Sequence, residues 1–231
     1  TGSAAPNYDQ LQDMAYTYDD AGNVTQIQDS RPSLGTQTRT FGYDPLNRIT
    51  SAASAGGNIP TYSSTYSYTN AGNISAFQGS SQTYGTQSAN CPAGALNKPH
   101  AVVSFGSAWT YCYDQNGNQN KRTRASGEVY AAQYDYENRL AVMTMTVGAA
   151  VTTTTYLYDG DGRRVQAVVA VQGGASTTTR YVGDYYEVVV GGGNTKYYYA
   201  GGKLMALRRG GYPAGNGLRY VFRDHLNSAT L

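Results

Sequence analysis

The chain has 231 residues, a formal net charge of +2 and 14% charged residues, so it shows no electrostatic footprint for nucleic acid or an anionic membrane surface. No run approaches the roughly 18 consecutive apolar residues of a membrane-spanning helix, and no span is expected. Leu, Ile, Val and Phe make up about 15% of the chain, below the roughly 20% at which disorder becomes a concern, but disorder also needs a high net charge.

The missing apolar volume comes from 23 tyrosines, each a large ring with a polar tip that must find a partner or water when buried. Together with abundant Thr and Val and 28 glycines, they predict an all-β protein with many turns.

Residues 1–14 read as an N-terminal extension that opens on a vector-like Thr1-Gly2-Ser3. From residue 15 to 222 one six-residue pattern organises the chain. It occurs first as Tyr18-Asp19-Asp20-Ala21-Gly22-Asn23, and motif tyrosines follow at Tyr43, Tyr68, Tyr113, Tyr134 and Tyr158, after 25, 25, 45, 21 and 24 residues. A recurring period of this size marks a repeat array.

The residue after the tyrosine is Asp19, Asp44, Thr69, Asp114, Asp135 or Asp159. Such short polar side chains bond the backbone two residues on and close a turn locally. The residue four after the tyrosine is Gly22, Asn47, Gly72, Gly117, Asn138 or Gly162, the two residue types that adopt left-handed backbone at least cost, so this position is expected to be left-handed.

A second ring stands two residues before the motif tyrosine at Tyr16, Phe41, Tyr66, Tyr111 and Tyr156, with Ala132 as the exception. That spacing places both rings on one face of a strand. An apolar Val24, Ile49, Ile74 or Leu140 opens the outgoing strand, whereas Gln119 and Arg164 depart from this.

The opposite turns are variable. Strand–loop–strand patterns fall at 140–147 with 151–158, at 165–172 with 176–181, and at 187–190 with 195–199. With about seven residues per strand, the chain becomes an antiparallel β-hairpin ribbon about 23 Å wide. The polar stretch 79–99 reads as an irregular loop too short for a core of its own.

Cys91 and Cys112 fit no metal spacing. They read first as two buried or free thiols and second as one bridge, which would imply an oxidising compartment. His100 and His225 have no nucleophile and orienting acid beside them in sequence. The oxygen-rich runs at 114–118 and 159–162 place Gly at the fourth rather than the sixth position of a calcium loop, so no metal is expected. No cofactor motif is present either, since Gly201-Gly202-Lys203 lacks the rest of a phosphate loop.

The repeated Tyr-Asp turns, Pro99-His100-Ala101-Val102, Gly162-Arg163-Arg164-Val165 and the ending Arg223-Asp224-His225-Leu226-Asn227-Ser228 together resemble the Rhs/YD-repeat family of bacterial Rhs polymorphic toxins, Tc toxin C components and, more distantly, teneurins. The resemblance implies a ribbon spiralling toward a curved or hollow shell around a C-terminal toxin. It makes this chain a structural shell segment, secreted or at a bacterial cell surface, whose partners are that toxin or neighbouring shell segments.

The family's core ends in an aspartyl autoprotease that needs a second Asp downstream. By resemblance Arg223 and Asp224 are half-site candidates, Asn227 stands where the family has Gly, and residues 223–231 form the truncated start of that motif. Two carboxylates must share a proton in this chemistry, so no catalysis is expected. The alternative reading is a cell-surface adhesion or carbohydrate-binding module whose exposed tyrosines stack on a glycan. Open strand edges at the ends of a ribbon also predict self-association.

Overall fold

A computed structural model describes residues 13–31, 35–58, 60–92, 98–223 and 229–230. All regular structure among them is β, in two compact units, 1–83 and 84–231.

The first unit contains β1 (Met14–Tyr18), β2 (Val24–Arg31), β3 (Gly35–Tyr43), β4 (Ile49–Gly56), β5 (Ser63–Tyr68) and β6 (Ile74–Phe77), and β7 (Ser80–Gly85) runs across its boundary. Each strand pairs antiparallel with the next. The second unit continues with β8 (Lys98–Phe105), β9 (Trp109–Tyr113), β10 (Gln119–Arg124), β11 (Val129–Tyr134), β12 (Leu140–Val147), β13 (Ala150–Tyr158) and β14 (Arg164–Val171). It then runs through β15 (Ser176–Val182), β16 (Tyr186–Val189), β17 (Asn194–Ala200), β18 (Lys203–Gly210) and β19 (Gly217–Tyr220), before a small pair of β20 (Phe222–Arg223) and β21 (Ala229–Thr230). From β8 to β19 neighbours in sequence are neighbours in the sheet. The antiparallel hairpin ribbon expected from the repeats is the observed fold.

The stretch read as an irregular loop differs in part. Ser80–Gly85 forms a strand against β6, because Gln78 and Gly79 both take positive φ (49° and 76°) and make the tight two-residue turn whose twist suits a hairpin. Lys98-Pro99 opens β8 rather than closing a loop. Residues 93–97 of that stretch and 1–12 of the expected extension lie outside the described residues.

The reading of two thiols is also replaced. Cys91 is bridged to Cys112 in β9, with Cα atoms 5.4 Å apart, because residues 87–91 fold back alongside that strand. Nothing in the spacing of two cysteines alone distinguishes a bridge from two thiols.

Each unit buries small side chains: Ala52, Ser54 and Ser64 in the first, Ala167, Ala206 and Cys112 in the second. No large side chain among the described residues is fully buried. Long side chains instead lie along the sheet and cover one another. The ring pair stacks as expected in the first repeat, where the Tyr16 and Tyr18 centroids are 6.5 Å apart. Elsewhere the leading ring finds another neighbour: Tyr66 packs on Phe77, Tyr111 on Trp109, and Tyr156 under Arg164.

Candidate functional site

The six repeat turns join β1 to β2, β3 to β4 and β5 to β6 in the first unit, and β9 to β10, β11 to β12 and β13 to β14 in the second. In a meander, turns that follow alternate strands share an edge, so they line one edge of each unit.

Their geometry is uniform. The Asp19 N–H donates to Asn23 O and the Gly22 N–H to Asp19 O, and the same two bonds recur in the other five turns at 2.8 to 3.1 Å. This is a type I turn closed by a left-handed residue, the usual three-residue hairpin loop. The left-handed position has φ of 85°, 59°, 84°, 90°, 67° and 80° at Gly22, Asn47, Gly72, Gly117, Asn138 and Gly162. Next to the motif tyrosine one outgoing-strand residue is bulged out: Tyr18 opposes Val24 and Thr17 opposes Gln26, which leaves Thr25 unpaired.

At Asp19, Asp44, Asp114 and Asp135 the carboxylate holds the turn with both oxygens. In the fifth repeat Asp135 Oδ1 accepts from the Glu137 and Arg139 N–H groups at 3.0 and 2.8 Å, and Oδ2 accepts from Arg139 Nε at 2.8 Å. Asp44 does the same with Leu46 and Arg48, and Asp19 with Ala21 and Asn23. Thr69, the one exception in sequence, keeps the bond from the Asn73 N–H at 3.1 Å.

The motif tyrosine acts on its neighbour rather than on its own turn. Its hydroxyl donates to a backbone carbonyl of the preceding strand: Tyr43 to Val24, Tyr68 to Ile49, Tyr113 to Val102, Tyr134 to Gln119 and Tyr158 to Leu140, at 2.7 to 3.1 Å. The strands part at this edge. Pairing of β2 with β3 ends at Gln26 and Thr40, that of β4 with β5 at Ser51 and Thr65, and that of β12 with β13 at Val142 and Thr155. The first carbonyl of the outgoing strand therefore lies past the end of the ladder, and the next repeat's tyrosine caps it. An unsatisfied carbonyl is costly, which explains why the position takes Tyr and never Phe.

The last motif residue completes the link. Where the next turn has Asn at its left-handed position, the preceding repeat ends in Asn: Asn23 Nδ2 donates to Asn47 Oδ1 at 2.9 Å, and Asn118 and Asn138 exchange side-chain amide bonds. Before the turns at Gly72 and Gly162 the preceding repeat ends in Arg. Arg48 and Arg139 pair with Asp44 and Asp135 and lie 4.3 and 4.9 Å over the rings of Tyr68 and Tyr158. A Cβ at Gly162 would stand 3.5 Å from Arg139 Nη1, so the small residue leaves room for the guanidinium. Sequence reading missed both the tyrosine clasp and this pairing, although the matched identities Asn with Asn and Arg with Gly were a signal for the latter.

These contacts set the electrostatics. The Asn23 side chain and N–H hold the Asp19 carboxyl below its usual value, and the Arg48 side chain and N–H do the same for Asp44. The Arg139 N–H and side chain depress Asp135, and at Asp114 burial pushes upward but the Asn118 bonds outweigh it. Burial, then the charge of Asp19, raises Tyr43, and burial with the charge of Asp114 raises Tyr134. A carboxyl depressed in the folded state stabilises the fold above its unfolded value near 3.9, and that contribution is lost as pH falls through the lower folded value. Thermal melts should hold steady from pH 6 to about 4 and fall below it. Asp→Asn at positions 19, 44, 114 and 135 should flatten that acid limb, and an unchanged limb would show that the turns do not depend on ionised aspartate.

Of the remaining sequence candidates, Arg223 lies in β20, whereas Asp224, His225 and Asn227 lie outside the described residues. His100 lies in β8. No group of three metal-ligating side chains occurs among the described residues, and no helix there is long and apolar enough to cross a membrane. An open depression of about 460 Å³ is lined by Tyr198, Ala206, Arg208, Gly217 and Leu218.

Comparison with known proteins agrees with this geometry. The RHS Repeat family model matches residues 18–59, which contain the first two turns and the first tyrosine clasp. No curated protein sequence matches. Among solved structures the chain is similar to TcdB2-TccC3-TEV (17% identity, TM-score 0.51), to TcdB2-TccC3-Cdc42 (18%, 0.50) and to TcdB2-TccC3 without its hypervariable C-terminal region (17%, 0.51). These matches cover 94 to 95% of this chain but 14% of each of theirs. At such identities the likeness is one of fold. The chain thus carries an RHS repeat at residues 18–59, and the same turn, clasp and bulge recur through Tyr158.

Proposed function

We propose that this chain is a stretch of wall in a larger Rhs-type protein, a non-catalytic ribbon that helps enclose a polypeptide carried by the same parent. The observation that carries the reading is the clasp. The hydroxyls of Tyr43, Tyr68, Tyr113, Tyr134 and Tyr158 cap the preceding strand, the aspartates hold their own turns, and Asn23, Arg48, Asn118 and Arg139 reach the next repeat, so these groups serve the ribbon rather than a substrate.

Burial supports the same reading. Side chains such as Val165, Val169 and Val171 remain exposed on β14, as expected of a sheet whose faces meet further wall segments or cargo. One similar structure is described as lacking a hypervariable C-terminal region, which fits a scheme of constant wall and variable contents. The bridge between Cys91 and Cys112 favours work outside the reducing cytosol of the producing cell.

Limited proteolysis of the full-length parent tests the proposal. The segment that follows the ribbon should resist cleavage in the native protein and be digested at least tenfold faster once expressed alone. Equal rates would rule out enclosure.

A further inference from the structure

We propose that the bridge between Cys91 and Cys112 is a redox latch, and that its reduction opens a seam between β8 and β9 without unfolding the repeats that follow.

The strands β8 and β9 pair only at Ser104–Phe105 with Trp109–Thr110. Toward the repeat edge a strap of residues 87–91 takes over from the β8 ladder. Gln87 imitates a strand residue there: its Oε1 accepts the Tyr113 N–H at 2.7 Å and its Nε2 donates to Tyr113 O at 3.3 Å. Beyond it the strap turns on itself, with the Cys91 N–H donating to Ser88 O and the Asn90 N–H to Ser88 Oγ. Lys121 Nζ donates to Asn90 O at 3.1 Å from an exposed position. Exposed polar contacts of this kind contribute little against solvent, whereas the bond to Cys112 ties the strap to β9. The strap also falls within the longest interval between motif tyrosines, 45 residues, so the latch stands where the repeat rhythm is interrupted.

Cys112 is 4% exposed and Cys91 is half-buried, so an incoming thiolate reaches the Cys91 sulfur. A dithiol reductant attacks there to form a mixed disulfide and expels the Cys112 thiolate. Its second thiol then displaces Cys91. Two electrons and two protons pass to the protein, and the reductant leaves as its own disulfide. The freed strap gives up Gln87's bonds to Tyr113. The consequence that a wall would open at this seam in a reducing compartment rests on the wall reading above, but the latch itself does not.

Hydrogen exchange on this chain, with and without dithiothreitol, tests the latch. On reduction the Tyr113 amide should exchange at least tenfold faster, while the Asp135 and Asp159 amides, held by Arg139 O and Arg163 O, should change less than twofold. Gln87→Ala in the oxidised protein should speed Tyr113 with the bridge intact. Tyr113 protection within twofold of the oxidised value would overturn the latch, because the strap would then stay in place by itself. Parallel acceleration at Asp135 and Asp159 would overturn it too, by making the bridge a global staple. Failure of the proteolysis experiment would leave these rates as they are.

Discussion

Replacing Tyr113, Tyr134 and Tyr158 together by Phe should lower the stability of the second unit by about 3 kcal/mol, at about 1 kcal/mol for each lost hydroxyl bond. Each substitution keeps the ring and removes one donor to a carbonyl at 2.8, 3.1 or 2.8 Å. The three sites cap different strands and share no partner, so the losses should add. In repeat architectures each unit contacts chiefly its neighbours, and the three bonds are links of one chain. A fall of roughly 6–12 °C in the melting temperature follows from the usual scaling for a unit of this size. Tyr198→Phe is the control: that ring is 44% exposed and lines the open depression, and its loss should stay within about 0.5 kcal/mol. Equal effects of the triple and control variants would remove the clasp from the energetics.

The second large effect concerns two glycines with almost the same backbone. Gly56 and Gly72 have φ of 76° and 84°, but a Cβ at Gly56 would stand 2.6 Å from the Thr36 carbonyl oxygen, whereas one at Gly72 meets nothing within 4 Å. Gly56→Ala therefore combines left-handed strain with a collision against backbone of the paired strand, for a cost of about 3 kcal/mol. Gly72→Asn puts into the third turn the residue that Asn47 and Asn138 already supply in two others, and should cost under about 1 kcal/mol. Urea midpoints of the two variants, measured side by side, separate conformational strain from close packing. A Gly56→Ala variant as stable as Gly72→Asn would mean that β3 and β4 shift apart freely.

The repeat turn was legible because its chemistry is local. An Asp that bonds two and four residues ahead, and a Gly or Asn forced left-handed, act within six residues, so spacing and residue type suffice to place them. The hairpins read at 140–158 and 165–181 were legible, to within a residue at their ends, for a related reason, since their Thr and Val runs are bounded by Gly. What the tyrosine hydroxyl does was not legible. Its acceptor belongs to the preceding strand, and it becomes available only because the ladder ends at pairs such as Val142 and Thr155, a register that no single repeat encodes. The Gln78-Gly79 turn was missed because Gln seldom takes positive φ. The bridge stood second to two thiols because the strap at 87–91 is held partly by a side-chain imitation of a strand, for which no sequence periodicity exists.

Electron cryo-microscopy of the full-length parent tests a wall role most directly. The expected result is this ribbon built into a continuous wall, with its repeat turns clasped edge to edge and further polypeptide enclosed against one face. A ribbon with solvent on both faces and its C-terminal neighbour free in solution would contradict it.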